Sequence, residues 1–146
     1  LFIGCSFEIV SFSLKIFNKV KEISFALLNE HPSLHRCRHF SFILDGSKIV
    51  KIGFNRDKTH PKNLLYDYKN RKGEIMSNQI GIHSEMDAVI KLGATDCSGL
   101  TIINTRVNRN NKLDLSRPCR GCTDMLRRLN FKSVFYNDAN GIFCKY

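Results

Sequence analysis

One imidazole, one nearby carboxylate and two thiols at an i, i+3 spacing can hold a zinc ion and move a proton beside it. The chain carries such a set in Gly81-Ile82-His83-Ser84-Glu85-Met86-Asp87-Ala88 and in Ser116-Arg117-Pro118-Cys119-Arg120-Gly121-Cys122. Cysteines three apart at a helix start are about one turn apart, so both sulfurs can face one point. A helix N-terminus favours anions and lowers thiol pKa, which suits thiolate ligands. His83, at the head of another helix, supplies a third ligand. Three protein ligands leave the fourth tetrahedral position to water, the arrangement of a catalytic rather than a structural zinc. Zinc brings the pKa of that water toward roughly 7. Glu85 is then left to carry protons. A structural four-cysteine site lacks its second C-x-x-C, and a redox pair gives Glu85 no role.

The elements that must position these residues follow from periodicity and turn chemistry. Apolar side chains at 14, 17, 20, 23, 27 and 28 predict a first helix over about 14–29, which Pro32 cannot continue. Asp45-Gly46 between apolar runs predicts a hairpin of 40–44 with 48–54. His83 opens a predicted helix running to about Leu92, with Gly93 as its stop. The β-branched run 100–105 reads as a strand buried on both faces. Pro118 is placed at the start of a third helix through Met125, Leu126 and Leu129. Strands are predicted at 133–136 and 142–144. The turn between them is too short for a parallel crossover, so this last pair should be antiparallel.

A chain of 146 residues is long enough to bury one core, and 42% apolar content indicates neither disorder nor a membrane class. One domain over 1–146 is expected. The apolar start Leu1-Phe2-Ile3-Gly4-Cys5-Ser6-Phe7 has no basic residue before it and meets Glu8, so it makes a poor secretory signal. The chain begins at Leu1 and not Met, which leaves an upstream segment open. Six cysteines scattered over this length do not read as a disulfide scaffold. Four of them are expected to be buried thiols, and the expected setting is cytoplasmic.

The net charge of +10 invites phosphate-bearing partners. From Arg56 to Glu74, six Lys and Arg face three Asp and Glu, with Tyr66 and Tyr68 among them. That long connection suits either a phosphate with a stacked base or a solvated insert. His35, Cys37 and His39 alternate along an extended segment. Without an evident fourth ligand they read as a basic strand entrance rather than a second metal site.

The pair H-x-E and P-C-x-x-C is the signature of zinc-dependent nucleobase deaminases. With the order of helix, hairpin, H-S-E helix, strand, P-C-R-G-C helix and terminal strands, it resembles the cytidine deaminase-like superfamily over nearly the whole chain. The resemblance implies a three-layer α-β-α fold of the α/β class. It implies a central five-stranded mixed sheet, a C-terminal antiparallel strand pair, and zinc at the N-termini of both motif helices. His83, Cys119 and Cys122 then become ligands and Glu85 the catalytic acid and base. Gly53-Phe54-Asn55 is similar to the family's G-x-N, which makes Asn55 a sugar contact. Ser84, whose carbonyl takes the place that often receives the leaving amine, and Pro118 complete the implied substrate-binding set. Lys58-Thr59-His60-Pro61 also has the look of small deaminases of phages, other viruses and bacteria. A terminal antiparallel pair resembles the cytidine and blasticidin deaminase branch, which favours cytosine over adenine.

The expected activity is hydrolytic deamination of cytosine in a free nucleoside or nucleotide by a zinc enzyme. A homo-oligomer is implied, as in many relatives. Single-stranded DNA or RNA is the alternative substrate, with Arg106, Arg109, Arg117, Arg120, Arg127 and Arg128 along its phosphates. A non-catalytic zinc-containing nucleic-acid-binding module is the third reading, and it gives Glu85 nothing to do.

Overall fold

A run of alternating and helical apolar patterns has to hide two kinds of face, and the chain does so in three layers. The computed structural model describes residues 7–30, 38–56, 68–69, 71–76 and 82–146. In chain order these are α1 (Phe7–Glu30), β1 (Arg38–Asp45), β2 (Lys48–Phe54), β3 (Tyr68–Lys69), β4 (Ile75–Met76) and α2 (Ser84–Leu92). They continue with β5 (Leu100–Val107), α3 (Arg120–Arg128), β6 (Ser133–Asn137) and β7 (Phe143–Lys145). Five strands form one sheet in the order β2-β1-β5-β6-β7, and β3 pairs with β4 apart from it. β1 is antiparallel to β2 and β5, β5 is parallel to β6, and β7 is antiparallel to β6. The mixed sheet and its antiparallel end agree with the expectation.

Strand periodicity sorts the core. On β1 and β5, Phe40, Phe42, Leu44, Ile103 and Val107 turn to one face and pack with Phe17 and Val20 of α1. Thr105 shares that face, where its hydroxyl bonds Ser24 of α1 at 2.6 Å. The alternate residues Ile43 and Ile102 turn the other way, against Met86, Ala88 and Val89 of α2 and Cys122, Met125 and Leu126 of α3. Each fully buried side chain of this size contributes roughly 1.5–3 kcal/mol. The same alternation sends Ser41 and Asn104, which are register partners, toward α2 and α3.

α1 begins at Phe7, earlier than the stripe from Leu14 predicts, because β-branched and aromatic residues over 7–13 blur the 3.6-residue period. α2 ends as expected on Gly93, in the left-handed conformation with φ of 72°. α3 corrects the placement of Pro118. Cys119 is the extended residue that opens the helix, its sulfur accepts from the Cys122 amide, and Pro118 lies outside. A thiol able to cap the first turn displaces proline from the first helical position. His35, Cys37, Lys58–Pro61 and Tyr66 lie outside the described residues. Of the long basic connection, β3 and β4 are described as a short antiparallel pair.

The end of β2 is fastened to α2 in three ways. Arg56 and Ile82 exchange backbone hydrogen bonds of 2.8 and 2.7 Å, which sets Asn55 close to the residue preceding His83. Gly53 lies so close to α2 that a Cβ there would overlap the Ser84 carbonyl oxygen and the Ala88 amide nitrogen. Asp87, fully buried, accepts from the Phe54 amide at 2.9 Å and pairs with Lys91 at 2.8 Å through Oδ2. Its Oδ1 faces the Arg56 guanidinium as an ion pair outside hydrogen-bond alignment. A buried carboxylate costs several kcal/mol to desolvate, so it needs both cations and the amide.

Candidate active site

Two helix starts meet over the sheet. His83 opens α2 in an extended conformation, with φ of −70° and ψ of 157°, and its carbonyl accepts from the Asp87 amide. Cys119 opens α3 in nearly the same conformation. In this geometry both side chains leave the helix axis and face the gap between the layers. His83 Nδ1 lies 3.3 Å from Cys122 Sγ and 3.6 Å from Cys119 Sγ. The three atoms lie within 4.8 Å of one another and form a group able to hold a metal among the described residues. Zn–N bonds of about 2.0–2.1 Å and Zn–S bonds of about 2.3 Å at a tetrahedral angle place N and S about 3.6 Å apart. The donor set fits zinc in both chemistry and spacing.

The electrostatics favour a thiolate. Cys119 is held down to about 4, first by the Cys122 thiol donating to its sulfur and then by His83, against burial that opposes the charge. Its sulfur in turn raises the His83 imidazole above the ordinary range. A metal entering this pair displaces the imidazole proton, so affinity falls as the solution is acidified.

Glu85 lies in the first turn of α2 and is only 6% exposed. Burial pushes its carboxyl above the usual carboxylate range. Oε1 accepts from Asn104 Nδ2 at 2.7 Å, and Oε2 has the Ser84 hydroxyl at 3.3 Å. A carboxyl raised in this way holds a proton more readily near neutral pH, as an acid–base group must.

Asn55 sits just past β2, with Oδ1 accepting from the His39 amide at 3.1 Å. Pro118 is buried beside Cys119. Ser84 is 2% exposed, its hydroxyl is 2.7 Å from that of Ser41, and its carbonyl packs against Gly53. The structure thus gathers His83, Glu85, Cys119 and Cys122, flanks them with Asn55 and Pro118, and turns Ser84 inward. Cys97 is buried, whereas Cys144 is partly exposed, so the expected set of buried thiols does not hold at that position.

The chain is similar to two solved structures of dCMP deaminase from the cyanophage S-TIM5. One is the apo form, at 16% identity and TM-score 0.49, covering 82% of this chain and 83% of that one. The other is the complex with dCMP and dUMP, again at 16% identity and TM-score 0.49, covering 82% of each chain. No protein-family model matches the chain, and no curated protein matches it. No helix among the described residues is long and apolar enough to cross a membrane.

His39 is the residue whose role the sequence places least well. It pairs in register with Arg106 and bonds Asn55 through its amide. Burial, and then Arg106, lower its imidazole to about 4. The sign follows from linkage. Between 6.5 and about 4 the unfolded chain binds a proton that the folded chain refuses, so stability present above pH 6.5 is lost as the pH falls through that window. At 1.36 kcal/mol per unit this amounts to about 3 kcal/mol over the whole window. Denaturant unfolding at pH 7 and pH 4.5 should show His39→Asn losing less stability on acidification than the unaltered chain.

Proposed function

We propose that this chain is a single zinc-dependent deaminase domain that hydrolyses the cytosine amine of a free nucleoside or nucleotide. The carbonyl of uracil and ammonia are the products. The observation that supports it most is the meeting of His83 Nδ1, Cys119 Sγ and Cys122 Sγ at two helix starts with Glu85 buried beside them. These three residues hold the metal. The chemistry supplied by zinc in such a donor set is Lewis acidity, which makes a water nucleophilic at neutral pH.

The rest is done by the protein. Glu85 takes the proton from the attacking water and gives it to the ring nitrogen beside C4. It then takes the remaining proton from the new C4 hydroxyl and passes it to the amine, so that the C4 carbonyl forms as the C4–N bond breaks and ammonia leaves. Asn55 has Oδ1 committed to the His39 amide, so its Nδ2 is the donor offered to a sugar hydroxyl. Pro118 walls the site beside Cys119. The Ser84 carbonyl is the proposed acceptor for the departing amine, and the missing side chain of Gly53 leaves its oxygen unblocked on that side. Cytosine is favoured by the antiparallel β6–β7 pair, through the branch it resembles.

Incubation with cytidine, deoxycytidine and their monophosphates, followed by loss of cytosine absorbance, tests this reading. Turnover of at least one of the four is expected. Deamination confined to single-stranded oligonucleotides would reject the free-nucleotide substrate while leaving the chemistry in place. Loaded protein should carry about one zinc per chain.

A further inference from the structure

The middle of β5 breaks the pattern of a buried strand. Leu100, Ile102, Ile103 and Val107 are apolar, yet Asn104, 2% exposed, stands among them. An amide taken from water without partners costs several kcal/mol, so its contacts decide what it is for. Oδ1 accepts from the Ser41 hydroxyl at 2.7 Å. Nδ2 donates to Glu85 Oε1 at 2.7 Å and lies 3.5 Å from the Ser116 carbonyl. The Ser116 hydroxyl donates back to the Asn104 carbonyl at 2.9 Å. One residue therefore touches both motif segments, the one holding Glu85 and the one leading to Cys119.

The direction of the amide is fixed by chemistry. Ser41 can donate or accept, so it accommodates either orientation. The Ser116 carbonyl can only accept, and Glu85 Oε1 accepts at 2.7 Å, so Nδ2 faces them and Oδ1 faces Ser41. Ser41 then spends its single proton on Asn104. Ser84, 2.7 Å from Ser41, supplies the proton between the two hydroxyls and has none left for Glu85 Oε2 at 3.3 Å. Hydrogen-bond donation runs in one direction, from Ser84 to Ser41, from Ser41 to Asn104 Oδ1 and from Asn104 Nδ2 to Glu85.

We infer that Asn104 is a positioning residue that fixes the Glu85 carboxylate through Oε1, its own side chain held in place by the buried Ser41 hydroxyl on Oδ1. The inference rests on Glu85 as the proton carrier. Asn104 acts through Glu85 and does not hold the substrate, so its loss should appear in kcat and not in KM. The rigid support matters because a carrier displaced by about 1 Å loses on the order of a hundredfold in rate.

The test measures kcat, KM and bound zinc for Asn104→Ala, Ser41→Ala and Glu85→Gln, on whichever of the four cytosine nucleosides and nucleotides the unaltered protein deaminates. Asn104→Ala is expected to lower kcat about 10- to 100-fold, with KM within about twofold and zinc content unchanged. Ser41→Ala, which removes the hydroxyl anchoring Asn104 Oδ1 and leaves the contact to Glu85, should lower kcat by roughly three- to tenfold, and it serves as the readout where Asn104→Ala does not fold. An unchanged kcat, a rise in KM alone, or loss of zinc overturns the inference. Glu85→Gln separates the two levels. If it is inactive while Asn104→Ala is normal, the positioning role fails and the reading of Glu85 stands. If Glu85→Gln is as active as the unaltered protein, or neither the four compounds nor a single-stranded cytosine oligonucleotide is deaminated, both fail; if only the oligonucleotide is turned over, the same variants are compared on it.

Discussion

Replacing Glu85 by Gln is expected to lower turnover by about three orders of magnitude while leaving zinc content unchanged. Gln has nearly the same shape, and its amide oxygen can still accept from Asn104 Nδ2, so the 2.7 Å contact that ties α2 to β5 survives. What disappears is the carboxyl that, in the proposed reaction, carries one proton to the ring nitrogen and a second to the amine. The unfolding midpoint should hold or rise. Burial already opposes the charged form of Glu85, and a neutral amide avoids that cost. A stability gain combined with near-total loss of rate marks a residue kept for chemistry. A parallel fall in rate and stability would instead assign Glu85 a packing role. Steady-state kinetics and thermal unfolding of the same preparation distinguish the outcomes.

Gly53→Ala should damage both stability and rate by a different route. The added Cβ would overlap the backbone of α2 at Ser84 and Ala88 and sit 2.7 Å from the Ala88 methyl. Backbone cannot rotate away as a side chain can, so β2 and α2 must separate. Overpacking of this kind costs about 1–3 kcal/mol, more where no rotamer relieves it. Separation also strains the Phe54–Asp87 bond and the Arg56–Ile82 bridge, which hold Asn55 beside the start of α2. Activity is expected to fall more than tenfold even in whatever fraction stays folded, since about 1 Å of displacement already costs on the order of a hundredfold. Denaturant unfolding together with kcat and KM checks this. Wild-type stability would mean that the close approach is not needed.

The residues with local spacing were legible in the sequence. His83 with Glu85 and Cys119 with Cys122 each sit within one helical turn, and a turn carries its own geometry. The Asp45-Gly46 hairpin and the antiparallel β6–β7 pair were legible for the same reason, because short connections leave few choices. Asn104 was not legible. Its contacts to Ser41 and Glu85 require the register of β1 on β5, which no local pattern encodes. An amide inside an apolar strand was the available signal, since a buried polar residue demands partners. Asp87 was hidden similarly: on a helix surface it reads as an ordinary charge, and only tertiary placement surrounds it with Arg56, Lys91 and the Phe54 amide. Pro118 stands two residues before the first helical position of α3, because the Cys119 sulfur caps the helix and a thiol cap carries no familiar sequence signal.

The most direct test of a zinc-dependent deaminase removes the metal and returns it. Protein stripped by a chelator should stop converting cytosine to uracil in the nucleoside and nucleotide panel. Equimolar zinc should restore both loss of cytosine absorbance and release of ammonia. Unchanged turnover by the stripped protein would contradict the account at its centre.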